Sequence, residues 1–148
     1  RLADGTLAIV DYKTGAPPSK PQVLAGYALQ LGLLGLIAEV GRFERRGTVV
    51  TGTPTRFEYW SLGRPQKGDG FGYTQTPMKE GNARTGLAPD EYMPFHADKL
   101  DSAIRRYILG REPFTARENP DYKGYNEYDQ LMRLDEWLPT LGDAGDAA

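Results

Sequence analysis

Cysteine is absent from all 148 residues. That excludes disulfides and any cysteine-ligated zinc or iron–sulfur site within the chain. Histidine occurs once, as His96, and a lone histidine is ordinarily a structural or exposed side chain. With no cysteine and one histidine, there is no convincing Ser-His-Asp or Cys-His constellation for covalent catalysis. No run of about 18 apolar residues is free of polar interruption, and no signal peptide is visible. The expectation is a soluble, cytoplasmic protein with no membrane partner. Basic charge is not in excess either: Lys and Arg total 18 against 20 Asp and Glu, a net charge of −2. That balance counts against a free-standing nucleic-acid-binding module, which is commonly basic overall.

What the chain does have lies near its start. Leu7-Ala8-Ile9-Val10-Asp11-Tyr12-Lys13-Thr14-Gly15 reads as a short apolar strand ending in a carboxylate and an ammonium two residues apart. Strand side chains alternate faces, so Asp11 and Lys13 share one face and Tyr12 points to the other. Their Cα atoms are predicted roughly 6.5 Å apart, from the rise per residue of a strand. This spacing suits a carboxylate that binds a hard cation beside a lysine that positions water on it. Thr14-Gly15 then turns the chain. The same tripeptide recurs as Asp121-Tyr122-Lys123, after a polar Glu118-Asn119-Pro120 turn with no strand to orient it. A surface ion pair explains that second copy.

A stiff Ala16-Pro17-Pro18 connection leads to Ser19-Lys20-Pro21, a helix start. From Gln22 to Val40, the residues Val23, Leu24, Tyr27, Leu31, Leu34 and Ala38 recur at spacings of three and four. That pattern predicts one amphipathic helix, closed by Gly41. Gln30 is the polar exception in its middle. A buried amide needs partners, and the strand end bearing Asp11 and Lys13 can supply them; solvent exposure of Gln30 is the alternative.

Ile9-Val10-Asp11-Tyr12-Lys13-Thr14-Gly15-Ala16-Pro17-Pro18-Ser19-Lys20 with Gln30-Leu31 resembles the PD-(D/E)XK nuclease superfamily in its RecB-like branch. More narrowly, it is similar to the C-terminal nuclease domains of AddB-type subunits of bacterial helicase–nucleases, which act in double-strand-break repair. Phe57-Glu58-Tyr59-Trp60 with Leu62, and Tyr128-Asp129-Gln130-Leu131 through Trp137, extend the likeness. The resemblance implies an α/β fold with a mixed central β-sheet flanked by helices, a restriction-endonuclease-like core. It implies a Mg²⁺- or Mn²⁺-dependent deoxyribonuclease (an exonuclease) acting on DNA, with an AddA-like helicase–nuclease subunit as partner. By motif match, Asp11 becomes a metal ligand, the Tyr12 carbonyl a further one, and Lys13 the group that orients the attacking water. Gln30 becomes the glutamine of a Gln-x-x-x-Tyr motif near the active site.

Three departures from the family accompany the likeness. Leu34 stands where that motif has tyrosine. The cysteines that ligate an iron–sulfur cluster in some AddB-type domains are missing, so no such cluster is expected. The upstream Gly-x-x-Asp-Arg-x-Asp run that brings a second metal-binding aspartate is not found: the chain opens at Arg1-Leu2-Ala3-Asp4-Gly5, and Asp4-Gly5 reads as a turn. The expectation is a fold incomplete at its N-terminus and inactive alone. A non-catalytic member of the fold, guiding DNA or contacting a subunit, is favoured by Leu34 and the acidic balance and opposed by the intact Asp11–Lys13 pair. An unrelated α/β interaction domain with a surface ion pair is the third reading.

Residues 1–138 are expected to form the partial nuclease domain and 139–148 a flexible tail. Thr48-Val49-Val50 and Thr55 to Leu62 read as strands, the latter alternating Phe57, Tyr59 and Ser61 against Glu58, Trp60 and Leu62. Residues 63–89 read as a long irregular, mobile loop, in which Phe71 and Tyr73 either stack on bases or anchor the loop. Pro89-Asp90 starts a helix whose Leu100, Ile104, Tyr107 and Ile108 form an apolar stripe ending at Gly110. Tyr128 to Leu138 has Leu131, Leu134 and Trp137 at helical spacing. Arg42, Arg45, Arg46, Arg105 and Arg106 are either phosphate contacts or a solvated face.

Overall fold

The computed structural model describes residues 1–65 and 70–113. Asp121–Lys123, the stretch 128–138 and the tail 139–148 therefore lie outside the described residues. Arg1–Glu112 forms one compact unit.

The apolar run at the start is a strand, β1 (Leu7–Lys13). Pro17 and Pro18 carry the chain to α1 (Lys20–Leu24), which opens with a capping box. Ser19 Oγ accepts from the Gln22 amide, and Gln22 Oε1 accepts from the Ser19 amide, so two orphan donors are satisfied reciprocally. The single helix expected over Gln22–Val40 is not formed. It breaks after Leu24, where Gly26 takes φ of +88°, a conformation glycine adopts without Cβ penalty. The helix resumes as α2 (Gln30–Glu39). This break moves Gln30 from mid-helix to the first turn of α2, against the end of β1.

Gly41, at φ +67°, releases the chain into a hairpin of β2 (Phe43–Arg45) and β3 (Thr48–Val50). Its two-residue turn has positive φ at both Arg46 and Gly47, as the turn matching strand twist requires. Next comes β4 (Pro54–Ser61). It pairs in parallel with β1, placing Asp11 opposite Tyr59 and Lys13 opposite Ser61. A parallel neighbour needs a crossover, which α1, α2 and the hairpin supply. Phe57, Tyr59 and Ser61 all face inward at 2% exposure or less, matching the expected alternation. Residues 63–89 are not wholly irregular: β5 (Tyr73–Gln75) pairs antiparallel with β4, and Met78 and Leu87 bridge and enter the core. Phe71 is exposed, whereas Tyr73 opens β5. The result is a mixed α/β unit with sheet order β1-β4-β5.

The helix α3 (Pro89–Ala103) follows, and Glu91 Oε2 accepts from the Ala88 amide at its start. It continues as a π-helical segment, Ile104–Leu109. The face that α3 buries is Tyr92 and His96, both at 0% exposure. The stripe read from Leu100, Ile104 and Ile108 lies largely in solvent. Glycines on α2 explain the difference. A Cβ on Gly32 would sit 2.0 Å from His96 Cγ, and one on Gly35 would sit 2.8 Å from Met93 Sδ and Phe57 Cε1. Closest approach of the two helices is therefore set at Gly32 and Gly35, and α3 turns Tyr92 and His96 to that point. The core gathers Val23, Leu31, Phe57, Tyr59 and Tyr92 with Ile9 and Met93 against it. No helix among the described residues is long and apolar enough to cross a membrane.

Candidate metal centre at the end of strand β1

Asp11 and Lys13 project from the same face of β1, and Tyr12 points away, 63% exposed and edge-on to Trp60 at 5.6 Å. The pair is not a loose surface contact: Asp11 keeps 14% of its side chain accessible and Lys13 29%. Lys13 Nζ lies 2.8 Å from Asp11 Oδ2 and donates to Gln30 Oε1 at 3.1 Å. Gln30 Nε2 donates to Asp11 Oδ1 at 3.3 Å. An ammonium only donates and a carboxylate only accepts, so this orientation of the Gln30 amide serves both. Strand and helix are thus closed into a three-membered polar ring. The sequence reading places these three together, and the structure does the same.

Asp11 Oδ2 is the unusual atom. It is buried, and no donor stands in hydrogen-bond geometry to it. Lys13 Nζ is close enough but wrongly directed, so the contact is one of charge alone. A buried carboxylate oxygen without a hydrogen bond carries a desolvation cost. A hard divalent cation, which takes oxygen ligands, would answer that cost.

The backbone offers a second oxygen. Lys13 O accepts from the Leu62 amide at 2.7 Å, so the Lys13 peptide groups face β4. Alternate residues face opposite edges, which turns the Tyr12 carbonyl to the other edge of β1. No strand pairs with that edge among the described residues. Asp11 and the Tyr12 carbonyl therefore fit a metal. They are not a full set, since no group of three His, Cys, Asp or Glu side chains gathers among the described residues. Asp4 does not contribute: its carboxylate closes a turn on the Thr6 amide and hydroxyl, which holds its pKa low.

Three supporting residues escape a reading of local pattern. Tyr59, in register with Asp11, puts its ring centroid 5.7 Å from Lys13 Nζ. Burial, with the charge of Asp11 second, pushes its phenol up to about 12. Ser61 Oγ donates to Gly15 O at 2.9 Å and accepts from the Gly63 amide at 3.1 Å. Gln75 Nε2 donates to Pro18 O at 3.0 Å. Together these last two tie the Thr14–Ser19 connection to β4 and β5. The alternation of β4 put Tyr59 and Ser61 on one face, but nothing local shows which residue of β1 each would oppose.

Other sequence candidates stand apart from the pair. His96 is a core residue whose Nδ1 bonds the Tyr92 carbonyl at 2.7 Å. Arg105 pairs with Asp101 and Arg106 with Glu112, so neither is an uncommitted phosphate contact. Arg46, at the hairpin turn, borders the Leu7–Val10 part of β1 rather than Asp11. Leu34 lies beside that same part of β1.

Comparison with curated proteins and with solved structures returned no match. The match to a protein family is extensive: residues 2–143 fit the PD-(D/E)XK nuclease superfamily. The mixed sheet, the Asp-x-Lys pair on its β1 end and the extent of that match agree, and the chain belongs to the PD-(D/E)XK nuclease superfamily.

Proposed function

We propose that this chain is the metal-dependent DNA nuclease domain of a helicase–nuclease that processes double-strand breaks, in the RecB-like, AddB-type branch of the superfamily. The observation that carries the reading is the buried, unbonded Asp11 Oδ2 inside the Asp11–Lys13–Gln30 ring. Asp11 and the Tyr12 carbonyl hold Mg²⁺ or Mn²⁺. The cation supplies Lewis acidity, polarising a phosphate oxygen and lowering the pKa of bound water. Lys13 orients the attacking water toward phosphorus. An O–P bond forms from water, the P–O bond to the neighbouring sugar breaks, and the leaving oxygen takes up a proton. Gln30 holds Asp11 and Lys13 in register throughout, and no covalent protein intermediate is required.

Asp11 brings one carboxylate, and the described residues gather no third metal-ligating group. We infer that a second acidic ligand completes the site and that residues 1–148 do not cleave DNA by themselves. An AddA-like subunit delivering DNA to the domain accounts for a net charge of −2. The test is Asp11→Ala and Lys13→Ala in the full-length protein. Each is expected to abolish Mg²⁺-dependent cleavage of DNA while leaving the circular dichroism spectrum unchanged; wild-type cleavage by either contradicts the assignment. Leu34, standing at the tyrosine position, favours a second reading as a non-catalytic DNA-guiding module. That reading predicts no Mn²⁺ site that Asp11→Asn removes.

A further inference from the structure

Lys13 and a metal ion want the same atom. The ammonium sits 2.8 Å from Asp11 Oδ2, and a divalent cation on that oxygen would expel it by like-charge repulsion. Two other features already face the ammonium. Gln30 Oε1 accepts its hydrogen bond at 3.1 Å, and the Tyr59 ring lies 5.7 Å away, near the outer reach of a cation–π contact. Tyr59 is fully buried and paired in register with Asp11, so its ring is a fixed wall of the site. Its hydroxyl has no hydrogen-bond partner among the described residues. The ring, not the hydroxyl, is therefore the part that serves Lys13.

We propose that Tyr59 is a positioning residue: its ring face and Gln30 Oε1 form the seat that the Lys13 ammonium takes when Asp11 binds a divalent cation. Resting on the metal-site reading above, this adds to it a reason for an aromatic ring at this point of β4. Without the seat, Lys13 would either compete with the metal for Asp11 or swing into solvent. With it, the ammonium leaves Asp11 and stays beside the reacting phosphate.

The contact is electrostatic, so it weakens as the ring's negative face is drained. The experiment therefore replaces Tyr59 in the full-length protein by phenylalanine and then by phenylalanines of increasing fluorination, and measures Mn²⁺ affinity by calorimetry. Tyr59→Phe retains the ring and with it the affinity. Across the fluorinated series affinity is expected to fall stepwise, by about two- to thirtyfold in total, the span of a cation–π contact. In a Lys13→Met background the same series should be flat, because Tyr59 acts through the ammonium. A flat series with Lys13 present, or an equal decline with Lys13→Met, overturns the proposal. Asp11→Asn separates the two readings. If wild-type Mn²⁺ binding survives that change or is absent, the metal-site reading falls and this proposal with it. If binding needs Asp11 and the series is flat, the role of Tyr59 alone falls.

Discussion

Replacing Gly32 by alanine sets two effects of opposite sign against each other. In a helix interior, alanine is favoured over glycine by about 1 kcal/mol, so propensity alone predicts a stabilised α2. The structure predicts the reverse. The new Cβ would stand 2.0 Å from His96 Cγ and 2.2 Å from Cδ2, roughly 1.5 Å short of the ~3.5 Å at which carbon atoms rest in contact. His96 cannot readily move aside. It is fully buried, its ring lies 4.3 Å from Tyr92 and 5.4 Å from Phe95, and its Nδ1 is bonded to the Tyr92 carbonyl. Overpacking of this kind costs about 1–3 kcal/mol, and loss of the His96 hydrogen bond adds about 1 kcal/mol. After the helix-propensity gain, the net expectation is a loss of about 2 kcal/mol, or a Tm lowered by about 10 °C for a unit of this size. Denaturant melts of wild type and Gly32→Ala measure it. Because Gln30 stands two residues before Gly32, a displaced α2 also pulls the amide from Asp11 and Lys13, so nuclease activity should fall with stability. A Gly32→Ala protein as stable as wild type, or more so, would refute the reasoning.

Two further predictions concern the site and the core. Gln30→Ala removes both hydrogen bonds that link α2 to Asp11 and Lys13; Mn²⁺ affinity is expected to fall about 10- to 100-fold, as for other groups that orient metal ligands, with an unchanged affinity as the contrary result. Burial lowers the pKa of His96, partly offset by its hydrogen bonds to the Tyr92 and Ala28 carbonyls. Unfolded, this histidine takes up a proton below about pH 6.5; folded, it stays neutral to lower pH. Stability is therefore full above pH 6.5 and declines as pH falls toward the depressed folded value, by at most about 1.4 kcal/mol per pH unit. Since His96 is the one histidine of the chain, His96→Gln should flatten the decline between pH 7 and 6 in urea melts, and a slope that persists would contradict the assignment.

What the sequence makes legible is whatever has a local period. The apolar run before Asp11, the shared face of Asp11 and Lys13, and the inward set Phe57, Tyr59 and Ser61 follow from alternation along a strand. Gln30 was marked by being polar in an apolar helix. The break at Gly26 was not, because the apolar spacing runs on across it, and only a φ of +88° reveals the interruption. Pairing partners are non-local and leave no local trace. The three-residue β5 owes its existence to the edge of β4, and the register setting Tyr59 opposite Asp11 belongs to two strands far apart in sequence. Likewise, the apolar stripe of α3 pointed to the wrong face: Gly32 and Gly35, on another helix, decide which side of α3 can approach.

The central claim is that Asp11, at the end of β1, binds a divalent cation. The most direct test is a crystal of the full-length protein soaked in Mn²⁺ and measured for anomalous scattering from manganese. The account predicts a peak about 2 Å from Asp11 Oδ2, with the Tyr12 carbonyl also in its coordination sphere. No peak at Asp11, with the Asp11–Lys13 contact intact at saturating Mn²⁺, would contradict it.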